Sequence, residues 1–292
     1  MEQPLVSILM AAYNQEKFIG EAIESVLAST YKNFELIIVD DCSPDSTYRV
    51  AEGYAKKDKR IRLYKNEKNL GDYPNRNKVA SYAKGKYLKY IDGDDAIYYW
   101  GLQVVVEMME RFPEAGYGLD SISQDDYKIF PYLLNPAETY HSVYVKKMEL
   151  FDKSPTSSII KRDIFEHVGG FKPIKYSGDC EMWHRLSLKY SVLVMPHGIV
   201  WSRLHEGSEL SKVKKNIETM SYQYLLLRRN FLSLKECPLD DELKIRLCGK
   251  ISRSQLKIFV KLLIKFKMDI FLAIKRSDHL GIVGLIKMQL MH

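Results

Sequence analysis

Cysteine is scarce and scattered in this chain of 292 residues: Cys42, Cys180, Cys237 and Cys248, with no CxxC pair. That spacing excludes a zinc ribbon or finger and suits reducing surroundings rather than a disulfide framework. No apolar run approaches the roughly 18 residues that a membrane span needs. The opening Met1-Glu-Gln-Pro4 lacks a basic stretch, and the apolar run Leu5 to Met10 is interrupted by Ser7. A secretory signal is therefore not read, and a cytosolic location is expected. No GxGxxG follows that first apolar run, so the dinucleotide fingerprint is missing. No internal repeat is visible.

Charge is unevenly spread. The net +7 divides into 27 Lys+Arg against 30 Asp+Glu in residues 1–211, and 17 against 7 from Lys212 onward. The slightly acidic body argues against nucleic acid as a partner. The basic tail is a candidate for an anionic membrane surface.

Apolar runs and helical periodicity alternate along the first hundred residues. Leu5 to Met10 and Phe34 to Asp40 read as buried strands, nearly continuous as parallel strands covered on both faces should be. Between them Phe18, Ile19, Ala22, Ile23, Val26 and Leu27 recur at helical spacing. Asn14 and Asp41 to Ser46 carry turn chemistry, Ser43 to Ser46 offering helix N-caps. A helix to about Lys57, a strand over Ile61 to Tyr64, a turn at Asn69 to Gly71 and a helix over Asn75 to Lys84 follow. Gly85 is expected to close that helix from the C′ position, ahead of a strand at Tyr87 to Ile91. The alternation predicts an α/β fold with an open, mostly parallel sheet flanked by helices. Further on, helices are expected over Trp100 to Phe112, Asp163 to Val168 and Asp179 to Tyr190, and strands over Val192 to Met195 and Ile199 to Leu204. Residues 116 to 153 read only as short strands and loops, and the remainder as helix.

Chemistry concentrates where Tyr87-Leu-Lys-Tyr-Ile-Asp-Gly-Asp-Asp95 ends. Three carboxylates crowded at a strand's end repel, unless water or a cation sits on them. Ligands bind at the carboxyl ends of strands in open α/β sheets. A divalent metal on Asp92, Asp94 and Asp95 is one reading and a solvated turn the other. Tyr13 and Asn14 end the first strand, Asp40 and Asp41 the second, Arg76 and Asn77 precede the acids, and Asp179 opens a later helix. A ring, several carboxylates and an arginine on one rim suit a nucleoside diphosphate.

In this order the motifs resemble those of family 2 glycosyltransferases, inverting enzymes of the GT-A fold that use nucleotide-sugar donors. The stretches are Val6 to Asn14, Glu35 to Ser43 with Asp45 and Thr47, Asn69-Leu-Gly71, Arg76-Asn77, Gly85-Lys-Tyr87 and Asp92 to Asp95. They continue with Gly169-Gly-Phe171, Gly178 to Trp183 with Arg185, and Arg203-Leu-His205 with Ser208. The likeness spans residues 4 to 211. It implies that Tyr13 stacks on the nucleobase, Asp41 hydrogen-bonds it, Arg76 contacts base or diphosphate, and Asp92 lies by the ribose. It implies Mg²⁺ or Mn²⁺ on Asp94 or Asp95, with His205 a further candidate ligand, and Asp179 as general base. A UDP-sugar is the favoured donor, and a glycan or lipid-linked hydroxyl the acceptor. The implied organisation is a nucleotide-sugar half over 1–115, an acceptor half over 116–211, and a basic helical extension over 212–292. Three departures stand out: Gly178 where an acid commonly precedes the base, Val79 for a glycine, and Ala11 for a small hydroxyl residue.

Each assignment has a plainer counterpart. Asp179 suits a helix N-terminus on electrostatic grounds alone, Tyr13 could be core, Arg76 a surface charge, and His205 a structural hydrogen-bonding group. Trp183 and Trp100 read as packing residues, with Trp100 also placed to floor a sugar site. In the tail, Lys250, Arg253, Lys257, Lys261 and Lys265 share a helical face opposite Leu256, Phe259, Val260 and Leu263. That pattern fits a solvated face, a peripheral membrane helix or a homodimer contact. Two rival functions are a sugar-nucleotide pyrophosphorylase, which wants a Gly-rich basic loop that Ala11 to Lys17 does not provide, and a non-catalytic nucleotide or glycan binder, which needs neither metal nor base.

Overall fold

The computed structural model describes residues 3–205 and 217–264. They belong to two compact units: one holds residues up to 139 and 147–203, the other 140–146 and the described residues beyond 203.

The first unit is built on an eight-stranded sheet. Its first half alternates β1 (Val6–Ala12), α1 (Ile19–Leu27), β2 (Phe34–Asp40), α2 (Thr47–Ala55), β3 (Ile61–Lys65), α3 (Asp72–Ala80) and β4 (Tyr87–Tyr90). After the two-residue β5 (Ala96–Ile97) come α4 (Gly101–Arg111), β6 (Ala115–Ile122), β7 (Tyr132–Leu134), α5 (Pro136–Tyr144), β8 (Ser158–Lys161), α6 (Arg162–Val168), α7 (Gly178–Ser187), β9 (Ser191–Pro196) and β10 (Val200–Trp201). The order across the sheet is β3-β2-β1-β4-β8-β6-β9-β7, and β10 pairs with β5 apart from it. β1, β2, β3 and β4 are mutually parallel where they pair, β8 runs antiparallel to both β4 and β6, and β9 returns parallel to β6.

Two consequences position the site. Val, Ile, Leu and Met fill β1 and β2, and both faces are buried under helices, with Ile8, Ile23, Val26, Leu36 and Leu102 in one continuous core. The chain moves outward from β1 to β2 and β3, then crosses back to β4 on the other side. The strand order therefore reverses between β1 and β4, the switch point where a crevice opens beyond the strand ends in sheets of this kind. Tyr13 and Asp92 stand there.

Several expectations need correction. α3 runs from Asp72 to Ala80 and is followed by Ser81 in a right-handed helical conformation, so Gly85 is not its C′ residue. Gly85 is required for another reason. A Cβ there would lie 2.5 Å from the Ser7 nitrogen and 2.7 Å from the Leu5 carbonyl oxygen, against the start of β1. Gly85→Ala is expected to cost about 1–3 kcal/mol in urea unfolding, as overpacking does. Gly53→Ala in α2, where nothing lies within 4 Å of the added methyl, should be neutral or stabilising.

Ser46 does precede α2 but makes no side-chain cap. Asp45 does that work, its Oδ1 accepting from the Thr47 N–H at 3.0 Å and the Thr47 hydroxyl at 2.5 Å. The segment read as short strands and loops contains the eight-residue, almost wholly buried β6 and the helix α5. The strand expected over Ile199 to Leu204 shrinks to β10.

The second unit contains α8 (Ile217–Leu232) and α9 (Asp241–Ile264). Tyr222 is buried there against Leu226 and Ile258, and Arg229 donates to Gln255 at 2.8 Å between the two helices. Lys250, Arg253, Lys257 and Lys261 of α9 are exposed and Phe259 is buried. Val260, expected on the apolar face, is exposed. Lys265 lies outside the described residues, as does the side chain of Leu263. Among the described residues no helix is long and apolar enough to cross a membrane.

Candidate active site

The turn after β1 is laced to the turn after β2. Asn14 adopts φ +57°, a left-handed conformation that asparagine tolerates. Its N–H donates to Ser43 Oγ at 3.0 Å, the Gln15 N–H to Thr47 Oγ1 at 2.7 Å, and the Glu16 N–H to Asp45 Oδ2 at 3.0 Å. Tyr13 is left half in water, 48% exposed, so it is not core.

Asp40 and Asp41 are both buried, and both serve the backbone. Asp40 Oδ2 accepts from the Ser43 N–H at 3.1 Å. Asp41 gathers the loop leading to α3. Its Oδ1 accepts from Asn66 Nδ2 at 2.7 Å and the Leu70 N–H at 2.8 Å, and its Oδ2 from the Gly71 N–H at 2.9 Å. Asn66 also donates to Asn75 Oδ1 at 2.9 Å. A carboxylate offers about four acceptor positions, so Asp41 retains room for one more donor.

Arg76 is buried and held on two sides. Its Nε donates to Asp72 at 2.8 Å, one helical turn back, and its Nη1 and Nη2 meet Asp92 at 2.7 and 3.0 Å. The second contact is the fork-to-fork geometry of a strong arginine–carboxylate pair. Burial works against the guanidinium's charge, but Asp72 and Asp92 outweigh it and hold its pKa well above the usual value.

The three acids after β4 thus part company. Asp92 faces Arg76. Asp95 is buried and turned toward the segment after β10, accepting from the Arg203 N–H at 3.0 Å and Ser202 Oγ at 3.3 Å. Asp94 is half-buried, and its carbonyl accepts from Arg203 Nε at 3.1 Å. Burial first, then the negative charge of Asp92, push the Asp95 carboxyl up to about 7, against the two bonds that favour its charge. A divalent cation would offset that crowding. Among the described residues no group of three or more His, Cys, Asp or Glu side chains forms a ready-made cage. The donor set nevertheless fits Mg²⁺ or Mn²⁺. These hard ions take carboxylate oxygens and are commonly held by one or two acids plus substrate phosphates.

Asp179 stands in the first turn of α7, half-buried. Its Oδ1 accepts from the Cys180 N–H at 2.7 Å, and its own N–H donates to the Tyr73 hydroxyl at 3.2 Å. Burial pushes its carboxyl up to about 6, while the Cys180 N–H, Arg76 and Tyr73 pull the other way. Asp179 therefore shares the surroundings of α3 with Asp92. Asn77, next along α3, exchanges two bonds with Phe171, donating to its carbonyl at 2.7 Å and accepting from its N–H at 2.8 Å. Gly170, at φ +68°, has no room for a side chain because Asn77 Oδ1 lies 2.5 Å from where its Cβ would be.

Tyr13, Asp41, Arg76, Asp92, Asp94, Asp95 and Asp179 all belong to the first compact unit, while His205 is half-buried in the second. Trp183 is core, stacked on Tyr117. Trp100 is partly exposed and stacked on Tyr98 at 5.0 Å. Sequence reasoning passed over Asp72, whose spacing from Arg76 is the i,i+4 signature of a helical ion pair. It also passed over Tyr73, Asn66 and Asn75, which carry no local signal.

The reversal of strand order, with an arginine and acids gathered at it, defines an open α/β sheet built to take a ligand at its switch point. The chain belongs to glycosyl transferase family 2, whose model matches residues 7–169. It is 30% identical over 223 residues to an uncharacterized glycosyltransferase of Haemophilus influenzae, covering 72% of this chain and 68% of that protein. Matches of higher identity are shorter, reaching 45% over 97 residues but only 33% of the relative's own length. The fold is that of the GT-A glycosyltransferases. It is shared with S. aureus TarS 1–349 in complex with UDP-GlcNAc, at TM-score 0.63 and 18% identity over 84% of this chain and 71% of that one. It is also shared with mannosyltransferase PcManGT from Pyrobaculum calidifontis in complex with GDP-Man and Mn²⁺, at TM-score 0.59 and 13% identity over 99% and 87%.

Proposed function

We propose that this chain is a metal-dependent inverting glycosyltransferase. It moves a sugar from a nucleoside-diphosphate sugar, a UDP-sugar in the first instance, to a hydroxyl of a glycan or lipid-linked acceptor. The observation that carries this reading is Asp179: a half-buried acid, bonded at both its backbone and its carboxylate, and tied through Tyr73 to the helix α3 that also carries Arg76 of the Arg76–Asp92 pair. With its carboxyl held near 6 it is ionised at neutral pH, yet basic enough to accept a proton as a bond forms. It takes the acceptor's hydroxyl proton while that oxygen attacks the anomeric carbon. The bond from that carbon to the diphosphate breaks on the opposite side, and configuration inverts.

Tyr13, half in water, is the platform for the base. The remaining acceptor position of Asp41 is the base's hydrogen-bonding partner, and Asp92 and Arg76 flank ribose and diphosphate. The ion, when bound, offsets charge on the departing diphosphate. Asp94 or Asp95 is the acid assigned to it. Residues 1–115 make the donor half and 116–211 the acceptor half. The exposed Lys250, Arg253, Lys257 and Lys261 would give peripheral contact with an anionic membrane, or a dimer face.

A panel of nucleotide sugars with Mn²⁺, followed by release of nucleoside diphosphate, tests this. Asp94→Asn is expected to lower turnover at least about a hundredfold and raise the metal concentration for half-maximal rate, with the melting temperature held. Nucleotide binding that is indifferent to metal, with no turnover on any donor, would point to the non-catalytic binder.

A further inference from the structure

Position 178 has no room for a side chain. A Cβ on Gly178 would lie 2.7 Å from both Cε2 and Cζ of Tyr73 and 2.8 Å from the Lys172 carbonyl oxygen. The Tyr73 ring fills the space directly beside the carboxylate-bearing residue, and its hydroxyl accepts the Asp179 N–H at 3.2 Å. The same hydroxyl lies close enough to the Asp179 carboxyl to favour its charged form. The ring is buried and cannot drift. It packs on Phe171 at 5.6 Å, Phe171 meets Trp183 edge-on at 6.2 Å, and Asn77 pins the Phe171 backbone.

We infer that Tyr73 is the positioning residue of Asp179, and that the glycine at 178 exists to admit it. The inference rests on the reading of Asp179 as the base. The charged groups that act on Asp179, Arg76 and Asp72, are engaged with each other, and the nearby Lys172 is engaged elsewhere. From α3, Arg76 is held by Asp72 and Asp92. From the loop before α7, Lys172 lies 3.3 Å from Glu181, which also pairs with Arg185 within α7 at 2.8 Å. Tyr73 is a neutral group with a proton to give. It also sits one turn from Arg76, so a single helix sets where the base stands relative to the donor's diphosphate.

Tyr73→Phe keeps the ring and removes the hydroxyl. It is expected to leave the melting temperature and the donor KM close to those of the parent, and to lower kcat about tenfold to a hundredfold, the range that a hydrogen bond to a charged group can carry. The acid limb of kcat/KM should move to higher pH, because the hydroxyl that favours the ionised carboxylate is gone. A purely structural tyrosine would not move that limb. As a second measure, Gly178→Ala should lower both melting temperature and kcat, and the penalty should shrink when Tyr73 is also alanine, leaving only the contact with the Lys172 carbonyl. Unchanged kcat and acid limb in Tyr73→Phe, or equal Gly178→Ala penalties in both backgrounds, overturn the inference. If Asp179→Asn is inactive while Tyr73→Phe is normal, only the role of Tyr73 fails. If Asp179→Asn turns over fully, the base assignment fails first.

Discussion

Asp179→Asn is expected to lower kcat by about two to four orders of magnitude, the contribution of a positioned general base, while the protein stays folded. Asparagine keeps the side chain's size and an oxygen to accept the Cys180 N–H, but it cannot take a proton. In the parent enzyme the sign of the pH dependence follows from the same group. The carboxyl titrates near 6, raised chiefly by burial, and only its ionised form can act as base. Activity is therefore present above about pH 6 and falls as pH drops through that value. In kcat/KM, which reports the free enzyme, the limb should have unit slope and be absent from the residual rate of the Asn variant. A flat profile between pH 5 and 8 with a working substrate pair would contradict the assignment.

The second large effect concerns the floor of the sheet. Lys89 on β4 and Asp120 on β6 reach across β8 to form an ion pair at 2.9 Å, both side chains wholly inaccessible to water. Lys89 donates also to the Thr156 carbonyl at 2.6 Å, and Asp120 accepts from the Ser121 hydroxyl at 2.8 Å. Removing one member strands the other charge in the interior. Lys89→Met is expected to cost about 3–5 kcal/mol, a large part of a typical domain's whole stability. Lys89→Met with Asp120→Leu should recover most of the loss, because neither charge then needs a partner. Urea titrations of the two variants decide it. Equal losses would mean that shape, not the stranded charge, sets the cost.

That ion pair also shows what local sequence hides. β2 was legible residue for residue because Phe34 to Val39 is an apolar run with a single interruption, and a parallel strand needs little else. β6 was not. Ala115-Gly-Tyr-Gly-Leu-Asp-Ser-Ile122 has two glycines and an acid, a composition that reads as turn. In the fold those residues answer to distant neighbours: Gly118 to Met195, whose Cε would lie 2.5 Å from an added Cβ, Gly116 to Tyr190, and Asp120 to Lys89. The site divides in the same way. The individual acids and Arg76 stand out in the sequence because charge at a strand end demands a reason. Their pairing does not, since Asp92 with Arg76, Asp95 with residues 202 and 203, and Asp41 with residues 66–71 all depend on contacts that the fold alone creates. Tyr73 was invisible for the same cause: nothing in Gly71-Asp-Tyr-Pro74 announces a glycine a hundred positions away.

The segment from Asn66 to Asn77 plugs into four sockets: the Asp41 carboxylate, Asp92, the backbone of Phe171, and the space above Gly178. It is therefore a cassette in the engineer's sense, one whose portability is set by its sockets. A chimera that imports another protein's version of these residues inherits a mismatch wherever the recipient has a side chain at 178 or lacks an acid at 41. Exchange of the whole segment together with positions 41, 92 and 178 is the smallest graft that carries both the arginine and the tyrosine in register.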